Sequence, residues 1–149
     1  MKKTLALFLS LLTVFSFCAC AKQSGNVKPD MIIQDLIAGG YFSEELSTAS
    51  KTAPKKMYGI ENAEESLIYV GSGATAEEFS AFRFADPKDA ENAKALAQAH
   101  IQKQIDAYSS YRPSEVPKLS DAYIKVCGNW LIVCVSANDV HQTLNNMLK

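Results

Sequence analysis

Hydrophobic positions change their period several times along this chain, and each change marks a predicted element. Thr4 to Phe17 is an apolar, uncharged run behind Met1-Lys2-Lys3. That is the n-region and h-region of a signal peptide, shorter than the about 20 apolar residues a membrane span requires. A polar stretch follows, in which Val27 is the one large apolar residue. Behind Pro29, residues Met31, Ile33, Leu36 and Ile37 recur near helical spacing until Gly39-Gly40. This predicts a helix with proline in its first turn and an apolar stripe facing the domain. Ser43 and Pro54 open two shorter helical candidates, EEL and PKKMYG, and Asn62 to Glu65 has the spacing of a capping box.

From residue 67 the period shortens to that of strands. Leu67-Ile-Tyr-Val70 and Glu78 to Phe84 are rich in strand formers, and the GSGATA connection at 71–76 predicts a flexible hairpin loop between them. Asp86-Pro87-Lys88-Asp89 combines an N-cap aspartate with proline at the first helical position. Ala90, Ala93, Ala97, Ile101, Ile105 and Tyr108 then share one face of a helix reaching about Ser110, its alanines small enough to lie close on a sheet. YRPSEVPKLS, residues 111–120, predicts a proline-rich loop. Ser120 to Ala137 predicts a hairpin turning at Gly128-Asn129, with a leading glycine suited to type II′. In that register Cys127 pairs with Trp130 and Tyr123 with Cys134. Ile124, Val126, Leu131, Val133 and Val135 fall on one face. Tyr123, Lys125, Cys127, Trp130, Ile132 and Cys134 fall on the other. A terminal helix opens at Asn138 or Asp139 and carries Val140, Leu144 and Met147.

The order of elements predicts an α+β fold: a four-stranded antiparallel sheet from two ββα units, helices mainly on one face, preceded by a helical N-terminal segment. With 149 residues, 48% hydrophobic and 21% charged, the chain suits one globular domain, expected at residues 29–149 behind a leader at 1–19 and a tether at 20–28. The formal net charge is -1 and falls to -3 when Lys2 and Lys3 leave with the leader. Neither value offers the basic surface that nucleic acid needs, so no nucleic-acid partner is expected.

The leader ends in Phe17-Cys18-Ala19-Cys20, which resembles a bacterial lipobox with Phe and Cys in place of the usual Leu and Ala or Ser. Cleavage between Ala19 and Cys20 would leave the Cys20 thiol to receive the lipid, anchoring the protein at the extracytoplasmic face of the cell membrane. Each buried methylene contributes about 0.8 kcal/mol, and two acyl chains hold a protein stably where one does not. The alternative is secretion after ordinary signal peptidase cuts before Lys22, since Ala19-Cys20-Ala21 is itself an A-x-A site. A zinc or redox role for the Cys18/Cys20 pair lacks nearby His or Cys ligands. Cys127 and Cys134 lie on the order of 13 Å apart along the hairpin, too far for a disulfide, and are expected as free thiols.

The remaining candidate chemistry is sparse. His100 and His141 sit in predicted helices without metal-ligand spacing, no G-x-S-x-G elbow is present, and no catalytic residue, metal ligand or cofactor is assigned. Glu77 and Glu78 alternate faces at a strand start, which prevents them from acting as a paired acid and base. GSGATA matches G-x-G-x-x-A after a strand, but the helix and second parallel strand of a dinucleotide site do not follow. Tyr123, Trp130 and Ile132 form a candidate binding patch, exposed if helices cover only the aliphatic face and buried if the N-terminal helices cover it.

MYGIENAEESLIYV at 57–70, ATAEEFSAFRF at 74–84, the helix after Asp86, YRPSEVPKL at 111–119 and AYIKVCGNWLIVCVS at 122–136 together resemble a family of bacterial lipoproteins. That family, common in Gram-positive clostridia, is built on domain of unknown function number four-three-five-eight. The resemblance implies a strand at 78–84 and a lipid anchor, and it transfers no catalytic residue. The expectation is therefore a membrane-tethered, noncatalytic binding or interaction module for an envelope protein or small ligand. The alternative is an extracytoplasmic enzyme acting on cell-envelope material.

Overall fold

The computed structural model describes residues 27–149. The lipobox residues Cys18, Ala19 and Cys20 lie outside the described residues. The centre of the domain is an antiparallel sheet of five strands, ordered β1-β2-β3-β5-β4: β1 Ser47–Thr48, β2 Glu65–Val70, β3 Glu78–Arg83, β4 Tyr123–Cys127 and β5 Trp130–Val135. Two hairpins, β2–β3 and β4–β5, lie side by side through β3 and β5. A long helix, α2 (Pro87–Tyr111), connects them. Asp86 caps it by accepting a hydrogen bond from the Lys88 N–H at 2.7 Å.

The pleat distributes β3 and β5 between two cores. On one face Phe82 of β3 meets Leu131, Val133 and Val135 of β5 beneath Ala90, Ala93 and Ala97 of α2. On the other, Phe79 and Ala81 join Trp130, Ile132 and Cys134 beneath α1 (Pro29–Ala38) and α4 (His141–Met147). The β4–β5 register pairs Cys127 with Trp130 and Tyr123 with Cys134, and Gly128 turns the hairpin at φ +60°. Cys127 and Cys134 are free thiols.

The sheet departs from the expected four strands with helices mainly on one face. A short edge strand, β1, adds a fifth, and helices cover both faces. The reason is that the second face of β3 and β5 is as apolar as the first and requires its own cover. In α1 the buried stripe is Ile32, Ile33 and Leu36, while Met31 and Ile37 are 55% and 49% exposed. In the terminal helix region Leu148 is buried instead of Met147. Residues 43–46 form no helix, and the expected capping box at Asn62–Glu65 runs extended into β2. PKKMY is a single π-helical turn, Pro54–Tyr58, ended by Gly59 at φ +72°. The expected loop at 111–120 holds a 3₁₀ turn, Pro113–Glu115, and a short helix, α3 (Val116–Ser120). Proline at the start of each turn supplies the fixed φ that both need.

Phe82 is fully buried between β2, β5 and α2. Phe82→Ala is expected to cost about 3–5 kcal/mol in urea unfolding, from lost transfer energy plus the residual cavity. Gly128→Ala, which forces a β-carbon into positive φ, is expected to cost about 1–2 kcal/mol without changing the urea dependence.

Candidate functional site

Among the cavities of the described residues, two lie against the two cores, one on each. The larger, ≈590 Å³, opens between the start of α1 and β2, with Lys28, Asp30, Met31, Ser66, Leu67 and Trp130 among its walls. Its size falls in the range of small-molecule sites, and it combines apolar walls with a few polar groups. Of the three residues expected to form a binding patch, Trp130 alone reaches it. Tyr123 and Ile132 are buried, 4% and 0% exposed, beneath α1 and α4. No flat exposed patch exists at Tyr123, Trp130 and Ile132, because the N-terminal and C-terminal helices occupy that face.

The smaller cavity, ≈180 Å³, lies between the 71–76 connection and α2, bordered by Met57, Val70, Thr75, Glu78, Gln104 and Tyr108. Behind its wall stands a buried polar chain. Tyr58 donates to Glu78 Oε1 at 2.6 Å and lies 2.9 Å from Ser80 Oγ. His100 Nε2 lies 3.1 and 3.0 Å from the two Glu78 oxygens, while its Nδ1 lies 3.2 Å from the Met57 carbonyl. A carbonyl only accepts, so Nδ1 carries a proton. The Nε2–Glu78 contact then requires another, held on one side or the other. Burial, then the neighbouring Glu78 carboxylate, pushes the Tyr58 phenol well above its ordinary value, so it stays a donor.

The carboxylate of Glu77, on the neighbouring position of β3's approach, takes a different set of partners. It accepts from Ser43 N–H at 2.8 Å, from Ser43 Oγ at 2.6 Å and from Lys118 Nζ at 2.8 Å. Lys118 also pairs with Glu115 at 3.0 Å, and Glu115 accepts from the Ala76 N–H at 3.1 Å. Desolvation raises the Glu115 carboxyl, but the Ala76 N–H and Lys118 outweigh it and hold the group below the usual carboxylate range. Desolvation likewise lowers Lys118, and its bonds to Glu77 and Glu115 more than restore it, leaving a net rise.

These side chains fix the 71–76 connection, contrary to the expected flexible loop. Glu44 accepts from Ser72 N–H at 3.2 Å, from Ser72 Oγ at 2.7 Å and from Thr75 Oγ1. The Thr75 and Ser72 hydroxyls hold its carboxyl below its ordinary value. Tyr108 donates to the Thr75 carbonyl at 2.6 Å, and Arg112 to the Ala74 carbonyl at 2.5 Å. At Gly71 an added β-carbon would push the Glu44 carboxylate and the Thr75 hydroxyl out of their present positions, and Gly73 is needed because its φ is +88°. Of the glycines of G-x-G-x-x-A, Gly71 thus lies against the Glu44 carboxylate and Gly73 serves the turn, and the connection joins two antiparallel strands where a dinucleotide fold would open a helix.

Among the described residues, Asp121, Asp139 and His141 are the metal-ligating side chains that converge, with donor atoms within 4.8 Å of one another. His141 Nε2 lies 3.0 Å from the Asp121 carbonyl, and Asp139 Oδ1 accepts the His141 N–H at 2.8 Å. Hydrogen bonding between the end of α3 and the start of α4 accounts for the arrangement of these largely exposed groups. No described helix is long and apolar enough to cross a membrane.

In the sequence His100 lacks metal-ligand spacing and Glu78 only alternates with Glu77, so neither stands out there as a site. The signal for both lies in register. His100 shares the face of Ala93 and Ala97 on α2, and Glu78 shares the face of Ser80 and Phe82. A polar residue on each of two apposed apolar faces implies that the two meet.

A family model described as Domain of unknown function (DUF4358) matches residues 40–136, well over half of the chain. No curated protein and no solved structure matches.

Removing one member of a buried polar pair strands the other. His100→Leu is expected to cost about 3–5 kcal/mol, and Glu78→Leu with His100→Leu less than that, because the double change leaves no unpaired carboxylate. Denaturant unfolding of the single and double variants measures the order, and a double variant weaker than the single contradicts the pairing. Glu115, depressed in the folded state, stabilises above its unfolded pKa, and that contribution is lost as pH falls through the folded value. Thermal unfolding followed below about pH 4.5 is therefore expected to fall more steeply for the native chain than for Glu115→Gln.

Proposed function

We propose, from the premise that this chain belongs to the Domain of unknown function (DUF4358) family, that it is a noncatalytic binding module tethered by a lipid on Cys20 at the extracytoplasmic membrane face. The observation that carries the binding reading is the ≈590 Å³ cavity at Trp130. Its aromatic wall offers a large contact area, and Lys28, Asp30 and Ser66 at the same cavity offer orienting polar groups. The cavity begins at Val27 and Lys28, where the tether meets the domain. From Cys20 to Pro29 an extended chain spans roughly 30 Å, so the cavity stays close to the membrane surface. A ligand presented at or released from that surface, or an envelope protein beside it, meets the mouth at high local concentration.

The anchor rests on the lipobox. Metabolic palmitate labelling is expected to mark the native chain and to miss Cys20→Ala, and label retained in Cys20→Ala contradicts the assignment. The cavity has a built-in reporter, since Trp130 is the chain's sole tryptophan. Anilinonaphthalene sulfonate bound there is expected to take up energy from Trp130 emission. Met31→Glu, at a largely exposed position of the cavity rim, is expected to weaken that transfer severalfold with the fold intact. Transfer that is absent, or indifferent to Met31→Glu, argues against a ligand site at Trp130.

The alternative, an enzyme acting on envelope material, draws on one specific observation: Glu78, backed by His100 and Tyr58, borders a separate cavity. A buried carboxylate sharing a proton with histidine is an arrangement suited to general acid–base work.

A further inference from the structure

Trp130 is 9% exposed, and its indole N–H has no hydrogen-bond partner among the described residues. No fully enclosed side-chain nitrogen among those residues lacks a partner, so this one touches open space. The ≈590 Å³ cavity is the opening that Trp130 lines. An indole N–H only donates. A donor on a side chain nine-tenths buried, with nothing in the chain to receive its proton, marks a place for an acceptor atom from outside. Three exposed groups at the same cavity are also without a side-chain hydrogen bond among the described residues: the Lys28 ammonium, the Asp30 carboxylate and the Ser66 hydroxyl.

Charge narrows what that acceptor belongs to. Glu65, at the cavity wall, accepts from Arg83 at 2.6 Å, and Arg83 also donates to Glu64 at 2.5 Å. That trio keeps one negative charge, and Lys28 and Asp30 cancel, so the mouth opposes an anionic head group. A primary ammonium has no lone pair to offer the Trp130 N–H. An uncharged secondary amide meets both conditions, its carbonyl oxygen receiving the indole proton and its N–H donating to Asp30. Met31, Leu67 and the Trp130 ring supply apolar walls for its substituents.

We infer that the Trp130 cavity binds an uncharged secondary amide with apolar substituents, received by the Trp130 indole N–H and the Asp30 carboxylate. This rests on the ligand site proposed at Trp130 and assigns the chemistry of its occupant. The indole is then a specificity group as well as an apolar wall, because its one proton selects for a lone pair at the depth of the ring.

The test is titration of the full chain, held in lipid nanodiscs, with N-butylpentanamide, followed by the indole N–H resonance, a single signal because Trp130 is the sole tryptophan. A saturable downfield shift is expected, with none from sodium nonanoate or nonylammonium chloride of the same carbon number. Trp130→Phe keeps a ring and removes the donor. It is expected to weaken binding about fivefold, the equivalent of one neutral hydrogen bond, read from the Leu67 amide while thermal unfolding stays cooperative. Asp30→Ala, at an exposed position, is expected to weaken it severalfold. Should Trp130→Phe fail to fold, the indole shift and Asp30→Ala decide. An absent or non-saturating shift, an equal response to either ion, or undiminished affinity in Trp130→Phe or Asp30→Ala overturns the assignment. Anilinonaphthalene sulfonate, held by its rings, reports the cavity walls alone. If its Met31-dependent transfer persists while the amide leaves the indole signal unmoved, the ligand class fails and the site stands; if both are absent, the site fails with it.

Discussion

A carboxylate in the middle of a sheet must be partnered, and the demand made by Glu78 organises much of this domain. β3 is flanked on both sides by other strands, and Glu78 is 2% exposed. Little water reaches it, so its hydrogen bonds come chiefly from protein. Tyr58 arrives from the Pro54–Tyr58 turn and His100 from the middle of α2. Each is thereby fixed relative to the central strand. Apolar packing alone sets the distance between α2 and the sheet. The polar chain sets where along the sheet the helix lies, a specificity that hydrophobic contact, being non-directional, does not provide.

The adjacent Glu77 extends the same logic to the opposite side. Through Lys118 and Glu115 it links Ser43, the 71–76 connection and α3 into one network. Among the described residues no buried side-chain nitrogen or oxygen lacks a partner. The connection is therefore set by side chains donated from three distant segments, and the smaller cavity keeps its shape for that reason. The Trp130 cavity has a different origin. It forms where α1 begins to cover the second face of the sheet, with the apolar surfaces of Leu67 and Trp130 at its wall.

Elements defined by local pattern were legible in the residues alone. Asp86-Pro87 marks the start of α2, Gly128-Asn129 sets the register of β4 with β5, and Gly39-Gly40 ends α1. The two-residue β1 was not legible, because a strand so short exists only through its pairing with Tyr69 and Val70. Which helices cover which face was not legible either, since periodicity shows that a stripe is apolar without showing its partner. The GSGATA connection illustrates the limit most clearly. Glycine richness reads locally as freedom, yet Gly71 and Gly73 are there for a close carboxylate and a positive φ. His100 and Glu78, 22 residues apart, meet only once β3 and α2 are packed.

The central claim is that internal carboxylates hold the 71–76 connection in one conformation as part of the folded core. Amide hydrogen exchange at Ala76 tests it most directly, because that N–H lies outside the strand ladder and depends on Glu115 for its partner. The account predicts protection of the Ala76 amide by orders of magnitude over a free peptide, approaching that of β3. Exchange at the free-peptide rate while β3 stays protected would contradict it.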